Sequence, residues 1–158
     1  MKVYKEVKIS YGHMLDGEPL CGRMHGHNGR VEVIVEGEIN TSTGMVINFN
    51  KISEVVKALD HKFILPLWKA KDAKADSDSV EFDMVDENGV SREYSLYLRD
   101  VYFLKSLIME EATAENIAVE IAKEIFDSLG FLGIVTVKLW ETDSSYAEVV
   151  YDGKMFQK

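Results

Sequence analysis

Alternating apolar and polar residues predict a pair of β-strands near the N-terminus. The clearest alternation runs through residues 31–39, which are rich in β-branched side chains and have the pattern of a half-buried strand. Residues 3–10 show a weaker, mixed alternation. We expect these two strands to pair antiparallel, with His13 and Cys21 in the segment between them.

The same pattern predicts two more pairs of strands further along the chain. Residues 80–85 and 91–98 flank a turn-forming cluster that ends in Gly89, as in a β-hairpin. Near the C-terminus, residues 134–140 and 146–151 are separated by a short polar segment. The first pair is therefore predicted to be a β-hairpin, and the second is predicted as two strands joined by that segment.

Two segments have apolar residues at helical spacing. The first follows Asn50, which we take as its N-cap, and ends at about Leu59. The second begins near Thr113, whose hydroxyl can cap the first turn, and ends at Gly130. The predicted order is therefore strand, strand, helix, hairpin, helix, strand, strand, which is an α+β arrangement.

Composition narrows the class of protein. The chain has 158 residues, which is the size of one domain that can bury its own core. Its net charge is −9, from 18 basic and 27 acidic residues, and the basic residues form no stripe, so we expect no nucleic-acid partner. It has one cysteine and no apolar stretch approaching the roughly 20 residues of a membrane span. We expect a soluble, cytoplasmic protein.

The segment CGRMHGH, residues 21–27, concentrates metal-binding side chains. It holds the single cysteine and two of the four histidines. In an extended chain His25 and His27 share one face, and an antiparallel return would bring His13 beside them. Three histidines with an open fourth position are typical of catalytic zinc. With Cys21 as fourth ligand the site would instead be closed and structural, and histidines held in a polar loop are a third interpretation.

Two other positions are candidates for acid–base chemistry. Asp60 and His61 follow the first predicted helix, and a carboxylate can orient an imidazole that acts on a thiol such as Cys21. Glu141 comes directly after a buried-looking strand. Each of these also fits an ordinary surface residue.

Six blocks along the chain resemble, in order, the signature motifs of the 6-pyruvoyl-tetrahydropterin synthase and 6-carboxytetrahydropterin synthase family. The short gap between Cys21 and His25 is similar to the 6-carboxytetrahydropterin branch. Three positions depart from the family pattern: Asn48, Ala112 and the pair Tyr11-Gly12. The matching blocks are Ser10–His13, Cys21–His27, Thr43–Phe49, Leu59–His61, Thr113–Ala118 and Trp140–Thr142.

The resemblance implies a tunnelling fold, in which a four-stranded antiparallel sheet carries two helices on one face. Subunits of this family close a barrel as trimers, which typically stack into hexamers, with the sites between subunits. The whole chain, residues 1–158, would be one such domain. A segment at about 69–99, which short family members lack, would be an insertion that carries the hairpin. We expect it to be a solvated decoration or an oligomer contact, or alternatively a lid. We interpret residues 67–78, which are charged and overlap the start of this segment, as a surface loop.

The resemblance also implies a role for each candidate residue. Zinc would be bound by three histidines, namely His13, His25 and His27. Cys21 would be the thiolate that removes a proton, and Asp60 with His61 would form the acid–base pair. Glu141 would anchor the pterin ring, with Thr113 and Glu115 helping to hold it.

The implied activity is conversion of 7,8-dihydroneopterin triphosphate to 6-carboxy-5,6,7,8-tetrahydropterin, with release of acetaldehyde and triphosphate. This reaction feeds the synthesis of deazaguanine nucleosides such as queuosine and archaeosine. Formation of 6-pyruvoyl-tetrahydropterin, or cleavage of the side chain, is the nearest alternative, and a non-catalytic zinc- or pterin-binding protein is an alternative of another class. Arg23, Arg30 and Lys62 are the candidate cations for the triphosphate.

Overall fold

The computed structural model describes residues 1–71, 78–105, 111–130 and 133–154. Eight strands and two helices lie in these ranges, besides two single turns of 3₁₀ helix. None of the helices in the described ranges is long and apolar enough to cross a membrane. In chain order the elements are β1 Lys2–His13, β2 His25–Glu36, α1 Phe49–Lys57, β3 Lys62–Pro66, β4 Ser79–Val85, β5 Ser91–Tyr97, β6 Val101–Leu104, α2 Ala114–Leu129, β7 Ile134–Trp140 and β8 Tyr146–Tyr151.

Four antiparallel strands form the centre and one side of the main sheet. The strand order is β6-β3-β1-β2-β7-β8. β1 and β2 pair antiparallel, as expected from the sequence, and β7 pairs antiparallel with both β2 and β8. Both helices cover one face of these strands, with α1 on β1 and α2 on β7 and β8. The main core lies between them and includes Val33 of β2, Ile52 of α1 and Ile121 of α2, all fully buried.

Two short strands at the β1 edge were not predicted from the sequence. β3 pairs parallel with β1 at Tyr11 and Gly12 only, and β6 pairs parallel with β3. Both strands are short apolar runs without alternation, so periodicity does not distinguish them from other buried segments. Parallel pairing also joins residues that are far apart in the sequence, which leaves no local signal.

The helix ends follow ordinary capping chemistry, with one correction. α1 begins at Phe49, and its N-cap is Asn48 rather than Asn50, because the Asn48 side chain accepts a hydrogen bond from the Asn50 amide at 2.9 Å. α2 has the predicted ends. Thr113 caps its first turn, and Gly130 follows its last residue in the left-handed conformation, with φ of 57°.

The predicted hairpin is present as β4 and β5, and it has a small core of its own. Phe82 is fully buried and stacks between Phe63 of β3 and Tyr94 of β5, with ring centroids 5.7 and 5.6 Å apart. Met14, directly after β1, is buried in the same cluster. The interpretation of residues 67–78 as a surface loop is wrong for Lys69, which is buried, and residues 72–77 lie outside the described ranges.

Candidate active site

The three histidines converge at one end of the β1–β2 pair. His13 lies directly opposite His25 in the strand register, and His27 shares the face of His25 two residues further along β2. One ring nitrogen from each residue lies within 4.8 Å of the others, and His13 Nε2 and His27 Nε2 are 3.1 Å apart. The antiparallel return thus places all three rings where one ion could contact them.

Backbone carbonyls orient two of the rings. His13 Nδ1 donates to the Ala112 carbonyl at 2.6 Å, and His25 Nδ1 donates to the Arg23 carbonyl at 2.7 Å, so Nε2 is the unprotonated nitrogen of each neutral ring. His25 Nε2 is buried and has no hydrogen-bond partner among the described residues. Burial also lowers the pKa of His13, which favours the neutral, metal-binding form. Oriented imidazoles with an orphaned nitrogen fit a bound metal ion, and this donor set suits zinc.

A pocket of about 260 Å³ opens beside these histidines. Its wall combines residues from both ends of the chain and from the start of α2, and half-buried Cys21 is among them. All of the residues expected to bind the pterin lie in this wall. The lining residues are His13, Leu15, Cys21, His27, Thr113, Ala114, Glu115, Glu141, Ser145, Tyr146 and Ala147.

Glu141 has a partner that the sequence reasoning did not assign. The hydroxyl of Tyr11, which is only 4% exposed, donates to Glu141 Oε1 at 3.0 Å. The same oxygen lies 3.9 Å from His13 Nε2 and 3.8 Å from His27 Nε2. Burial, together with the nearby carboxylate, raises the pKa of Tyr11 well above its usual range, so the hydroxyl remains a donor. The sequence does contain a signal for a place of Tyr11 in the site, because Tyr11 lies two residues before His13 and therefore on the same face of the strand.

Asp60 and His61 form a pair, but this pair lies away from Cys21. Asp60 Oδ1 accepts hydrogen bonds from the Ser10 amide at 2.8 Å and lies 3.0 Å from His61 Nδ1, and the Ser10 amide is the main reason why the pKa of Asp60 is lowered. His61 has a positive φ of 57°, and its side chain is 82% exposed. A non-glycine residue in this conformation is strained, which is common at functional sites.

The Asp60–His61 pair lines a second pocket, of about 490 Å³, on the other face of the sheet. Lys8, Asn28 and Arg30 also line it, and these residues alternate along β1 and β2 with those that point toward the helices. Within one chain, therefore, the fold does not bring Asp60 and His61 to Cys21.

None of the three candidate cations lies in the wall of the Cys21 pocket. Arg30 is 3.3 Å from Glu32 and stacks over the Trp140 ring at 4.5 Å. Lys62 donates to the backbone carbonyl of Arg99. Arg23 lies in a third cavity, against the turn of the hairpin.

Comparisons with a family model and with named relatives agree on one family. The family model for 6-pyruvoyl tetrahydropterin synthase matches residues 2–152. A Pyrococcus abyssi protein provisionally named 6-carboxy-5,6,7,8-tetrahydropterin synthase is 34% identical over 148 residues, covering 92% of this chain and 85% of the relative. The 6-carboxy-5,6,7,8-tetrahydropterin synthase of Haemophilus influenzae is 28% identical over 159 residues, covering 93% and 96% of the two chains.

Solved structures show the same fold. The 6-pyruvoyl tetrahydropterin synthase of Plasmodium falciparum superposes with a TM-score of 0.68 at 23% identity, covering 96% of this chain and 98% of the other. The Plasmodium vivax enzyme gives a TM-score of 0.67 at 24% identity, with 96% and 99% covered. This likeness confirms the predicted α+β tunnelling fold, and the match over nearly the whole sequence shows that the chain belongs to the 6-pyruvoyl tetrahydropterin synthase family.

Proposed function

We propose that the protein is a zinc-dependent lyase that converts 7,8-dihydroneopterin triphosphate and water to 6-carboxy-5,6,7,8-tetrahydropterin, acetaldehyde and triphosphate. The convergence of three imidazole nitrogens beside a thiol and a carboxylate carries this proposal. The names of the relatives from Pyrococcus and Haemophilus favour the carboxy product. This assignment would place the protein in the synthesis of deazaguanine nucleosides.

The second candidate is the same site with 6-pyruvoyl-tetrahydropterin as its product. The description of the matching family model and the names of the similar structures favour it. A non-catalytic binding protein is the third candidate. The position of Cys21 in the pocket argues against it, because holding a pterin ring does not need a thiol.

His13, His25 and His27 would hold the zinc ion. Bound zinc would supply Lewis acidity toward the two side-chain hydroxyls of the substrate and so acidify the neighbouring C–H bond. The rings of His13 and His25 are already oriented by hydrogen bonds from Nδ1, so little rearrangement is needed for zinc to bind.

Glu141 would anchor the pterin ring, because a carboxylate accepts two parallel hydrogen bonds from adjacent ring N–H groups. Tyr11 donates to one of its oxygens and thereby limits the rotation of the carboxylate. Thr113 and Glu115, which line the same pocket at the start of α2, would help to hold the ring.

Cys21 would remove the proton from the side-chain carbon, and His61, oriented by Asp60, would return or remove protons at the oxygens. Because these residues lie in different pockets of one chain, the proposal requires a homo-oligomer in which His61 of one subunit serves the Cys21 pocket of another. A trimer and a hexamer both meet this requirement.

The direct test is to incubate the zinc-loaded protein with 7,8-dihydroneopterin triphosphate and to assay acetaldehyde together with the pterin products. Acetaldehyde in equal amount to 6-carboxytetrahydropterin is the expected result. Release of triphosphate with a pyruvoyl product would establish the second candidate. No turnover by protein with one zinc per chain would contradict both.

Mixed oligomers test the sharing of the site. Cys21→Ala and His61→Ala should each abolish turnover, and oligomers assembled from both variants should recover part of it, because some sites then combine an intact Cys21 with an intact His61. If the mixture stays inactive while its size equals that of the wild type, the two residues do not act across subunits.

A further inference from the structure

A lysine ammonium is buried where the hairpin region meets the histidine site. Lys69 lies in the 3₁₀ turn after β3, and its side chain is only 2% exposed. Its Nζ is 2.6 Å from Asp16 Oδ2 and 2.9 Å from Glu111 Oε1, and Met84 Sδ of β4 is 3.6 Å away. A buried cation requires such pairing, because an unpaired charge in the interior is costly.

Glu111 connects Lys69 to the metal-binding histidines. It directly precedes Ala112, whose carbonyl accepts the hydrogen bond from His13 Nδ1. Two contacts fix the position of Glu111 and Ala112. One is the ion pair of Glu111 with Lys69, and the other is the hydrogen bond that the Asn116 side chain donates to the Glu111 carbonyl at 2.7 Å. A displacement of Glu111 would therefore move the group that orients the His13 ring.

Asp16 connects the same lysine to the loop that carries Cys21. Its other carboxylate oxygen accepts from the Val85 amide at 2.8 Å, and the Gly17 amide donates to the Val85 carbonyl at 2.9 Å. Within the loop, the Leu15 amide donates to the Cys21 carbonyl at 2.8 Å. The base of the loop is thus attached to the end of β4.

We propose that Lys69 is a positioning residue, which fixes the His13 ring through Glu111 and the Cys21 loop through Asp16. The inference deepens the proposed function, because it concerns the same histidines and the same thiol. Lys69, at the start of the expected insertion, then helps to shape the site as well as packing against the hairpin. Replacing Lys69 by an apolar side chain leaves two carboxylates close together without their cation, so their repulsion moves both connected segments.

The test separates the two connections with three measurements that do not depend on turnover. The affinity for Zn²⁺ is measured by competition with a chromophoric chelator, and the absorption bands of Co²⁺-loaded protein report the ligand geometry. The rate of alkylation by iodoacetamide reports the Cys21 loop alone, because the chain has one cysteine. Lys71→Met is the matched control, since Lys71 also pairs with two acids, Asp83 and Glu93, but at the exposed surface of the hairpin.

We expect Lys69→Met to bind Zn²⁺ about 10–100-fold more weakly, the usual effect of losing support for a metal ligand, and to shift the Co²⁺ bands. We expect its thiol to alkylate about threefold faster or more, because the loop opens more often. Glu111→Gln should reproduce mainly the metal effect and Asp16→Asn mainly the thiol effect. Lys71→Met should match the wild type in all three measurements.

A lower melting temperature for Lys69→Met, with zinc affinity, Co²⁺ bands and alkylation all within twofold of the wild type, would overturn the proposal. Equal changes in Lys71→Met would do the same. Should Lys69→Met fail to fold, Glu111→Gln and Asp16→Asn decide the question, because each keeps the lysine paired with one acid. Absence of turnover by the wild type would refute the proposed function and leave these comparisons valid.

Discussion

Gly26 offers a sharp test of the histidine site, because it lies between two of the three proposed ligands. In the register of the sheet it faces Gly12 of β1, one residue from the His13–His25 pair. A Cβ atom added at Gly26 would lie 2.8 Å from the backbone carbonyl oxygen of Tyr11. The obstacle is backbone, so rotation of a side chain cannot relieve it.

The required displacement exceeds what a metal site tolerates. Ordinary contact begins at 3.4 Å, so the added methyl group and the Tyr11 carbonyl oxygen of β1 must separate by the difference between 3.4 and 2.8 Å, about 0.6 Å. Metal–ligand distances are held to within about 0.2 Å. We therefore expect zinc affinity to fall about 10–100-fold, equivalent to about 1.4–2.7 kcal/mol. The overpacked sheet should also lose about 1–3 kcal/mol of unfolding free energy.

Gly12→Ala is the matched control on the facing residue. Its added Cβ would lie 3.2 Å from the His25 carbonyl oxygen and 3.4 Å from the Phe63 ring, so a movement of about 0.2 Å suffices. Zinc affinity is measured by chelator competition, and folding of the metal-free variants by urea denaturation. Wild-type zinc affinity in Gly26→Ala, or equal losses in both variants, would refute the argument that strand separation controls the site.

Four further substitutions test other parts of the structure. Glu141→Ala should weaken pterin binding while one zinc per chain is retained. Tyr11→Phe should weaken pterin binding by a smaller factor, since it removes one hydrogen bond to a charged group. Unchanged pterin affinity of Glu141→Ala in isothermal titration would remove Glu141 from the site. The lowered pKa of Asp60 means that its ionised form stabilises the fold. The wild type should therefore be more stable than Asp60→Asn above about pH 4, and this difference should vanish as pH falls through the folded-state pKa of Asp60. Urea denaturation at pH 6 and pH 3 measures the difference, and an equal difference at both pH values would contradict the prediction. Phe82→Ala should cost about 3–5 kcal/mol if the hairpin unfolds with the main sheet, and an unchanged single melting transition would mean that it unfolds separately.

The histidine site could be predicted from the sequence because its geometry is local. Alternation in an extended strand puts His25 and His27 on one face, and one antiparallel turn returns His13 to them. The helix caps at Thr113 and Gly130 are local in the same sense, since each depends on a few neighbouring residues. These features followed from periodicity and capping alone.

Long-range partners could not be predicted in this way. β3 and β6 add to the sheet by parallel pairing, and side chains of both strands pack in one cluster with the distant hairpin. Lys69 lies in a charged stretch that has the composition of a surface loop, and its burial depends on pairing with two acids that are distant in the sequence. For Asp60 and His61 the sequence indicates the chemistry of the pair but not the face of the sheet to which it belongs.

The proposed metal ligands and the proposed thiolate base lie on parts of the fold whose backbones are held to different degrees. The three histidines lie on paired strands, where twelve residues of β1 oppose twelve of β2, so their positions follow the backbone of the sheet. Cys21 lies in the loop between those strands, where the described backbone contacts are those of turns and of the hairpin end. Substitutions in the hairpin should therefore alter thiol access more readily than metal affinity, whereas a substitution of Lys69, in the 3₁₀ turn after β3, should alter both. Lys69 reaches both, because one of its acids belongs to the Cys21 loop and the other to the segment that orients His13.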